Sequence, residues 1–167
     1  GGADRVISIF TFSKTYAMTG WRVGYVTGPA PFVRQLGLHQ EPVVSCASTI
    51  SQNAAMVALR GPQDCVGEMV SAYGARRRLA SEILTAGGVP FVDPQGAFFL
   101  MVEVRPSGLD SWTYALRALR ELGVGTVPGS AFGPRGEGFL RVTLAASEES
   151  IADGLGRPTA AYSDLTA

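Results

Sequence analysis

Apolar and β-branched positions crowd the start of the chain, then spread into longer periodic patterns. Residues 5–12 (RVISIFTF) read as a short buried strand. Residues 15–20 break into a loop, and residues 21–27 (WRVGYVT) form a second extended run closed by the Gly28-Pro29 turn signal. A short helix is expected over 30–38. Another is expected over 45–59, with Ser48 or Thr49 able to cap it. After Gly61-Pro62, Val66, Met69, Val70, Tyr73, Arg77, Ala80, Ile83 and Leu84 recur at spacings of three and four. That spacing predicts one long helix with a mainly apolar stripe, stopped by Gly87-Gly88. Arg76-Arg77-Arg78 should lie mostly on its solvated side, with the Arg77 stem along the stripe's edge.

The rhythm changes near Gly88. A short strand over 89–92, a turn at Asp93-Pro94-Gln95-Gly96 and a longer strand over 97–104 (AFFLMVEV) come first. Asp110 or Ser111 can cap a helix whose apolar face is Trp112, Ala115, Leu116, Leu119 and Leu122. An extended stretch at 123–127 leads into a glycine-rich loop over 128–138 and a strand over 139–145 (FLRVTLA). Alternation there puts Leu140, Val142 and Leu144 on one face and Arg141 and Thr143 on the other. Ser147 can cap a last helix with Glu149 and Ser150 in its first turn, and glycine and proline from Gly154 onward should fray it. Strands and helices mixed in this way indicate an α/β or α+β architecture. The organisation expected is three segments: 1–60, a connecting helix over 61–87, and a smaller domain over 88–167.

Composition narrows the classes. The 167 residues are long enough to bury roughly two thirds of the unfolded surface. Fourteen basic residues balance fourteen acidic ones, which argues against a nucleic-acid partner. No apolar run approaches the roughly 18–20 residues that span a bilayer. Cys46 and Cys65 are too few for a disulfide framework; they are expected to be buried small apolar residues in a cytoplasmic protein. His39, the sole histidine, has no companions for a metal site and is expected at the surface. Gly1-Gly2-Ala3-Asp4 carries neither an initiator Met nor a signal peptide, so the chain reads as a longer protein entered partway. Thirteen of the basic residues are Arg, which GC-rich coding explains. The single lysine is Lys14.

Lys14 sits in TFSKTYAMTGWRVGY with Thr11, Ser13, Gly20, Arg22 and Gly24. An arginine fork with hydroxyl donors can hold a phosphate, and glycines let backbone approach it closely. A lysine beside such a site is either a phosphate clamp or a nucleophile toward carbonyls, and spacing leaves both readings open. Phe10-Thr11-Phe12-Ser13 lacks the glycines of a P-loop, so nucleotide binding is disfavoured.

Taken together, Thr11-Phe12-Ser13-Lys14, Gly20 and Arg22-Val23-Gly24 closely resemble the cofactor-lysine signature of class I/II aminotransferases, the fold type I pyridoxal-phosphate enzymes. The resemblance continues through Pro94-Gln95-Gly96-Ala97-Phe98-Phe99, the loop Val127-Pro128-Gly129-Ser130-Ala131-Phe132-Gly133, and the strand Phe139-Leu140-Arg141-Val142-Thr143. It covers most of this chain but the C-terminal portion of a family member. It implies the end of the large-domain sheet, an interdomain helix and an α+β small domain. It further implies pyridoxal 5'-phosphate as cofactor, with Lys14 as the catalytic lysine bonded to it. Arg22 and Thr11 would hold the phosphate, assisted by Ser13. Arg141 would grip the substrate α-carboxylate. Amino acid and 2-oxo acid substrates follow from the same resemblance, as does a homodimer in which residues 45–52 could face the partner.

The family's ring-stacking aromatic, its Asn and Tyr near the 3'-oxygen and its ring-nitrogen Asp have no counterpart here. Two other readings therefore stand beside the aminotransferase: an inactive fragment, and a related pyridoxal-phosphate lyase or synthase. Tyr16 and Tyr25, which flank the lysine loop, are expected to pack.

Overall fold

A computed structural model describes residues 5–161. These residues divide into two compact units, one ending at Met69 and one beginning at Val70.

The first unit opens on β1 (Ser8–Thr11), which pairs antiparallel with β2 (Gly24–Thr27) so that Thr11 lies opposite Gly24. Gly24 is required there: a Cβ would collide with the Phe10 carbonyl oxygen. Both strands are shorter than their apolar runs. Phe12–Thr15 leave the sheet as one helical turn, α1, while Thr19–Trp21 form a 3-10 turn. Arg22 follows with φ 50°, a left-handed conformation that no strand residue adopts, so the second strand starts at Gly24 rather than at Trp21.

α2 (Ala30–Val44) runs six residues past the helix expected over 30–38 and includes Pro42 in its last turn. α3 (Thr49–Arg60) follows Ser48, which occupies the N-cap position without a capping bond. Its buried Ala55 packs against Phe12, Met18 and Val23 to make the unit's core. Around that core β1 exposes Ile9 at 79%, and its second edge has no pairing strand among the described residues.

α4 (Asp64–Ala86) is the long helix foreseen from the three-and-four spacing, and Gly88 at φ 67° lies just beyond its end. Arg77 donates to the Pro94 carbonyl oxygen, and Arg76 lies over Tyr73. The second unit's sheet has the order β3-β4-β6-β5, all antiparallel, from β3 (Phe91–Val92), β4 (Phe99–Glu103), β5 (Val127–Pro128) and β6 (Phe139–Thr143). Leu100 and Val102 of β4 face Val142 and Leu140 of β6 on the core side. Ala80, Leu84, Val89, Leu144, Ile151 and Leu155 complete the larger of two apolar clusters.

α5 (Ser111–Leu122) is capped by Asp110, whose carboxylate accepts from the Thr113 N–H at 2.8 Å. The apolar face expected on it is rotated. Ser111, Tyr114, Ala115 and Ala118 are buried, whereas Trp112 and Leu119 are exposed. Ser111 turns inward because its hydroxyl donates to Glu137, and the two alanines let the helix lie close to the sheet. α6 (Glu148–Ala160) is capped by the Ser147 hydroxyl. It continues through Gly154 and Pro158 instead of fraying, since Ile151 and Leu155 are anchored in the core. Cys46 and Cys65 are free and exposed, contrary to the buried positions expected: Cys46 lies in the segment before α3, and Cys65 in the first turn of α4. No described helix is long and apolar enough to cross a membrane.

Candidate functional site

In the first unit the signature folds around Phe12. Its ring is 3% exposed, and its carbonyl accepts from the N–H groups of Tyr16 and Met18. The Phe12 N–H donates in turn to the Val23 carbonyl oxygen. Burying one residue therefore fixes the turn that carries Ser13 and Lys14. Tyr16 stacks on Phe12 and donates its hydroxyl to Gln63 at 2.9 Å, so it braces the turn by packing, while Tyr25 stacks on Phe10.

Thr11 caps the turn, accepting from the Ser13 N–H at 3.2 Å and donating its hydroxyl to Ser13 Oγ at 2.9 Å. Arg22 reaches back to the Thr19 carbonyl oxygen at 2.8 Å, which leaves most of its guanidinium N–H groups for another acceptor. Ala17 and Arg22 both hold positive φ without being glycine, a strain that accumulates at functional loops.

Thr11, Ser13 and Arg22 line one hollow of about 540 Å³, the size of a small-molecule site, together with Tyr25, Gly24 and the α2 residues Val33 and Leu36. Lys14 is exposed beside it on the same turn but is not one of its lining residues. The Arg22 fork and the Ser13 hydroxyl line the same hollow and can donate to a phosphate, with positive charge to offset it, while Thr11 directs its own O–H to Ser13 Oγ. A primary amine one residue away supplies the remaining functional group that pyridoxal phosphate needs.

Arg141 lies in the second unit. It sits on β6 with Met101 opposite on β4 and Val127 opposite on β5, so it stands on an inner strand and not an edge. It occupies the face away from the core, as the alternation of the strand foretells. Its guanidinium carbon is 4.2 Å from the Phe99 ring centroid and 4.5 Å from that of Phe132. No acidic side chain pairs with it among the described residues.

Phe132 reaches that position through the glycine-rich loop expected over 128–138, although its contact with Arg141 was not foreseen. Glu137 fastens the loop: its carboxylate accepts from the Ser111 N–H at 2.7 Å, the Gly138 N–H at 2.8 Å and the Ser111 hydroxyl at 3.0 Å. Those bonds, led by the Ser111 N–H, hold its pKa below the ordinary 4.5. A buried serine at the start of a helix was the available signal. The ring contact of Phe99 was legible in principle, because Phe99 and Arg141 are diagonal neighbours in antiparallel pairing.

Comparison with solved structures defines the class: an α/β fold of the aminotransferase type. The aromatic aminotransferase from Pyrococcus horikoshii superposes with a TM-score of 0.94 at 35% identity, over 100% of this chain and 46% of that one. Aspartate aminotransferase from Thermotoga maritima gives 0.88 at 36% identity, over 97% of this chain and 41% of that one. The family model for aminotransferase class I and II matches residues 1–157, and the chain belongs to that family. Among curated relatives it is 38% identical to an aspartate aminotransferase from Pyrococcus abyssi and 37% identical to aromatic-amino-acid aminotransferase 2 from Thermococcus litoralis. Each match covers 94% of this chain, and the chain spans about two fifths of the length of these relatives (41% of each).

Proposed function

We propose that this chain provides the lysine and the phosphate cradle of a pyridoxal-phosphate-dependent aminotransferase that moves an amino group between an L-amino acid and a 2-oxo acid. The observation that carries the reading is the convergence of Thr11, Ser13 and Arg22 on one hollow beside the chain's single lysine. Arg22 and Thr11, with Ser13 assisting, would hold the cofactor phosphate. Bound there, the cofactor supplies an electron sink that acidifies the α-hydrogen of an amino acid. Lys14 Nζ would then accept and return that proton. Arg141 would hold the substrate carboxylate. Its faces are roofed by rings, so its N–H groups point out along the edge, where a planar pair of oxygens can meet them. In the full-length protein the same family reading carries a homodimer.

The share of the relatives' length that the chain spans favours a second reading, in which this portion binds cofactor without turning over substrate. Both are tested by adding pyridoxal phosphate to the purified chain and to its Lys14→Ala and Lys14→Arg variants. A visible absorption band that requires Lys14 is expected, because an amine but not a guanidinium condenses with the cofactor's aldehyde. The absence of any Lys14-dependent band refutes the cradle. A band without amino transfer from amino acid to 2-oxo acid selects the second reading.

A further inference from the structure

The turn that carries Lys14 is too short to hold itself. α1 contributes only Phe12–Thr15, and a single helical turn has no stability of its own. Its entry is fixed, because the Thr11 hydroxyl caps it and the Phe12 ring is buried. Its exit is held less firmly by backbone alone. The N–H groups of Tyr16, Ala17 and Met18 reach their carbonyl acceptors at 3.3, 3.2 and 3.4 Å, at the long end of amide hydrogen bonds. Ala17 also takes φ 52°, a left-handed conformation that an L side chain disfavours. Such a residue persists only where its surroundings over-determine it.

One side-chain bond ties this exit to the rest of the first unit. Tyr16 stacks on Phe12 with ring centroids 5.5 Å apart and donates its hydroxyl to Gln63 Oε1 at 2.9 Å. Gln63 stands on the link between α3 and α4, 47 positions along the chain. It is itself held at both helices. Its Nε2 donates to the Ala58 and Gly61 carbonyl oxygens at 2.9 and 2.8 Å, at the end of α3. Its backbone carbonyl accepts from the Val66 N–H at 3.0 Å, in the first turn of α4. With the amide nitrogen committed to two carbonyls, only Oε1 is left to face Tyr16, and that fixes which partner donates. Carbonyls at a helix end lack intrahelical partners, so α3 gains by keeping Gln63 in this orientation.

Neither Tyr16 nor Gln63 lines the hollow of Thr11, Ser13 and Arg22, so any effect of theirs on it passes through the backbone. We propose that Tyr16 and Gln63 form a latch that holds Ala17 in its left-handed turn and thereby positions Lys14 at that hollow. Both are positioning residues. The proposal rests on the reading of Lys14 as the amine that condenses with the cofactor's aldehyde, forming a C=N bond and releasing water.

The test uses the purified chain, with and without pyridoxal phosphate. Tyr16→Phe removes the O–H and keeps the ring on Phe12. Without cofactor, hydrogen exchange at the Ala17 and Met18 N–H groups should quicken roughly two- to tenfold, the effect of one net hydrogen bond, while the β1–β2 amides exchange as in the parent. With cofactor, the folded variant should show the Lys14-dependent visible band at an apparent dissociation constant raised by the same roughly two- to tenfold. Gln63→Ala should act alike, and adding Tyr16→Phe to it should weaken the band no further, because both changes break one bond. Ala17→Gly is the rescue. Glycine adopts the left-handed turn without a Cβ penalty, so adding it to Tyr16→Phe should bring the band's affinity back to within about twofold of the parent.

The two readings fail separately. A parent chain with no Lys14-dependent band refutes the lysine reading, whatever the exchange rates. A parent band that Tyr16→Phe leaves unchanged, with unchanged exchange at Ala17 and Met18, overturns the latch alone. So does a weakened band that Ala17→Gly does not restore.

Discussion

Gly129→Ala should loosen the loop that carries Phe132 and disturb the stacking around Arg141. Gly129 is buried where the loop folds back on itself. An added Cβ would lie 2.6 Å from the Phe139 carbonyl oxygen and closer still to that of Gly136. Ordinary contact begins near 3.4 Å, so the backbone must part by about 0.8 Å or more on both sides. Neither neighbour is the flexible end of a side chain, and one belongs to β6, which pairs on both edges. Forced overpacking of this kind costs roughly 1–3 kcal/mol. In a unit of about 100 residues, each kcal/mol lowers the unfolding temperature by roughly 4–8 °C. The expected loss is therefore at least about 4 °C by circular dichroism. In parallel, the Arg141 side-chain N–H resonance should shift, because the Phe132 ring 4.5 Å away shields it. Gly96→Ala is the control: its Cβ meets nothing within 4 Å, and stability should stay within about 0.5 kcal/mol. An unfolding temperature within about 2 °C of the parent, with the Arg141 resonance unmoved, would refute the close-approach argument.

Leu144→Ala, at a site 1% exposed in the larger cluster, should cost about 2.7–5 kcal/mol in urea unfolding. Leu119→Ala, at 53% exposure, should change stability by no more than about 0.5 kcal/mol. Glu137 has its pKa lowered by bonds formed in the fold, so its contribution is complete above its ordinary value of 4.5 and is lost as pH falls through the depressed one. Urea midpoints should therefore hold steady down to that value and drop below it, with a shallower drop in Glu137→Gln; equal slopes in the two proteins would contradict the assignment.

How far the fold was legible depended on whether an element's own pattern decided its packing. The long helix and the alternation around Arg141 were readable because each repeats at the period of its secondary structure. α5 was misread because its largest apolar residues, Trp112 and Leu119, are not the ones it buries. Its orientation is set by Ser111 meeting Glu137, a contact across 26 positions that no local period reports. α6 was underestimated for the same reason: Gly154 and Pro158 weaken a helix in isolation, but packing of Ile151 and Leu155 outweighs intrinsic preference.

The candidate site divides along the same line. Thr11, Ser13 and Arg22 stand within twelve consecutive positions, and a single buried ring, Phe12, is enough to gather them. A local motif can therefore foretell the hollow it lines. Arg141 depends on distant partners. Its neighbours come from β4 some forty positions earlier and from a loop held by Glu137, so the sequence could mark the residue without showing what surrounds it. Those surroundings bear on its role. An arginine on an edge strand would be an ordinary solvated cation, whereas this one is on an inner strand, stacked by two rings and unpaired with any described carboxylate. Rings satisfy the faces of a guanidinium but not its N–H groups, which lie in its plane. A planar anion approaching edge-on is the partner that completes that set, which is the demand a substrate carboxylate meets.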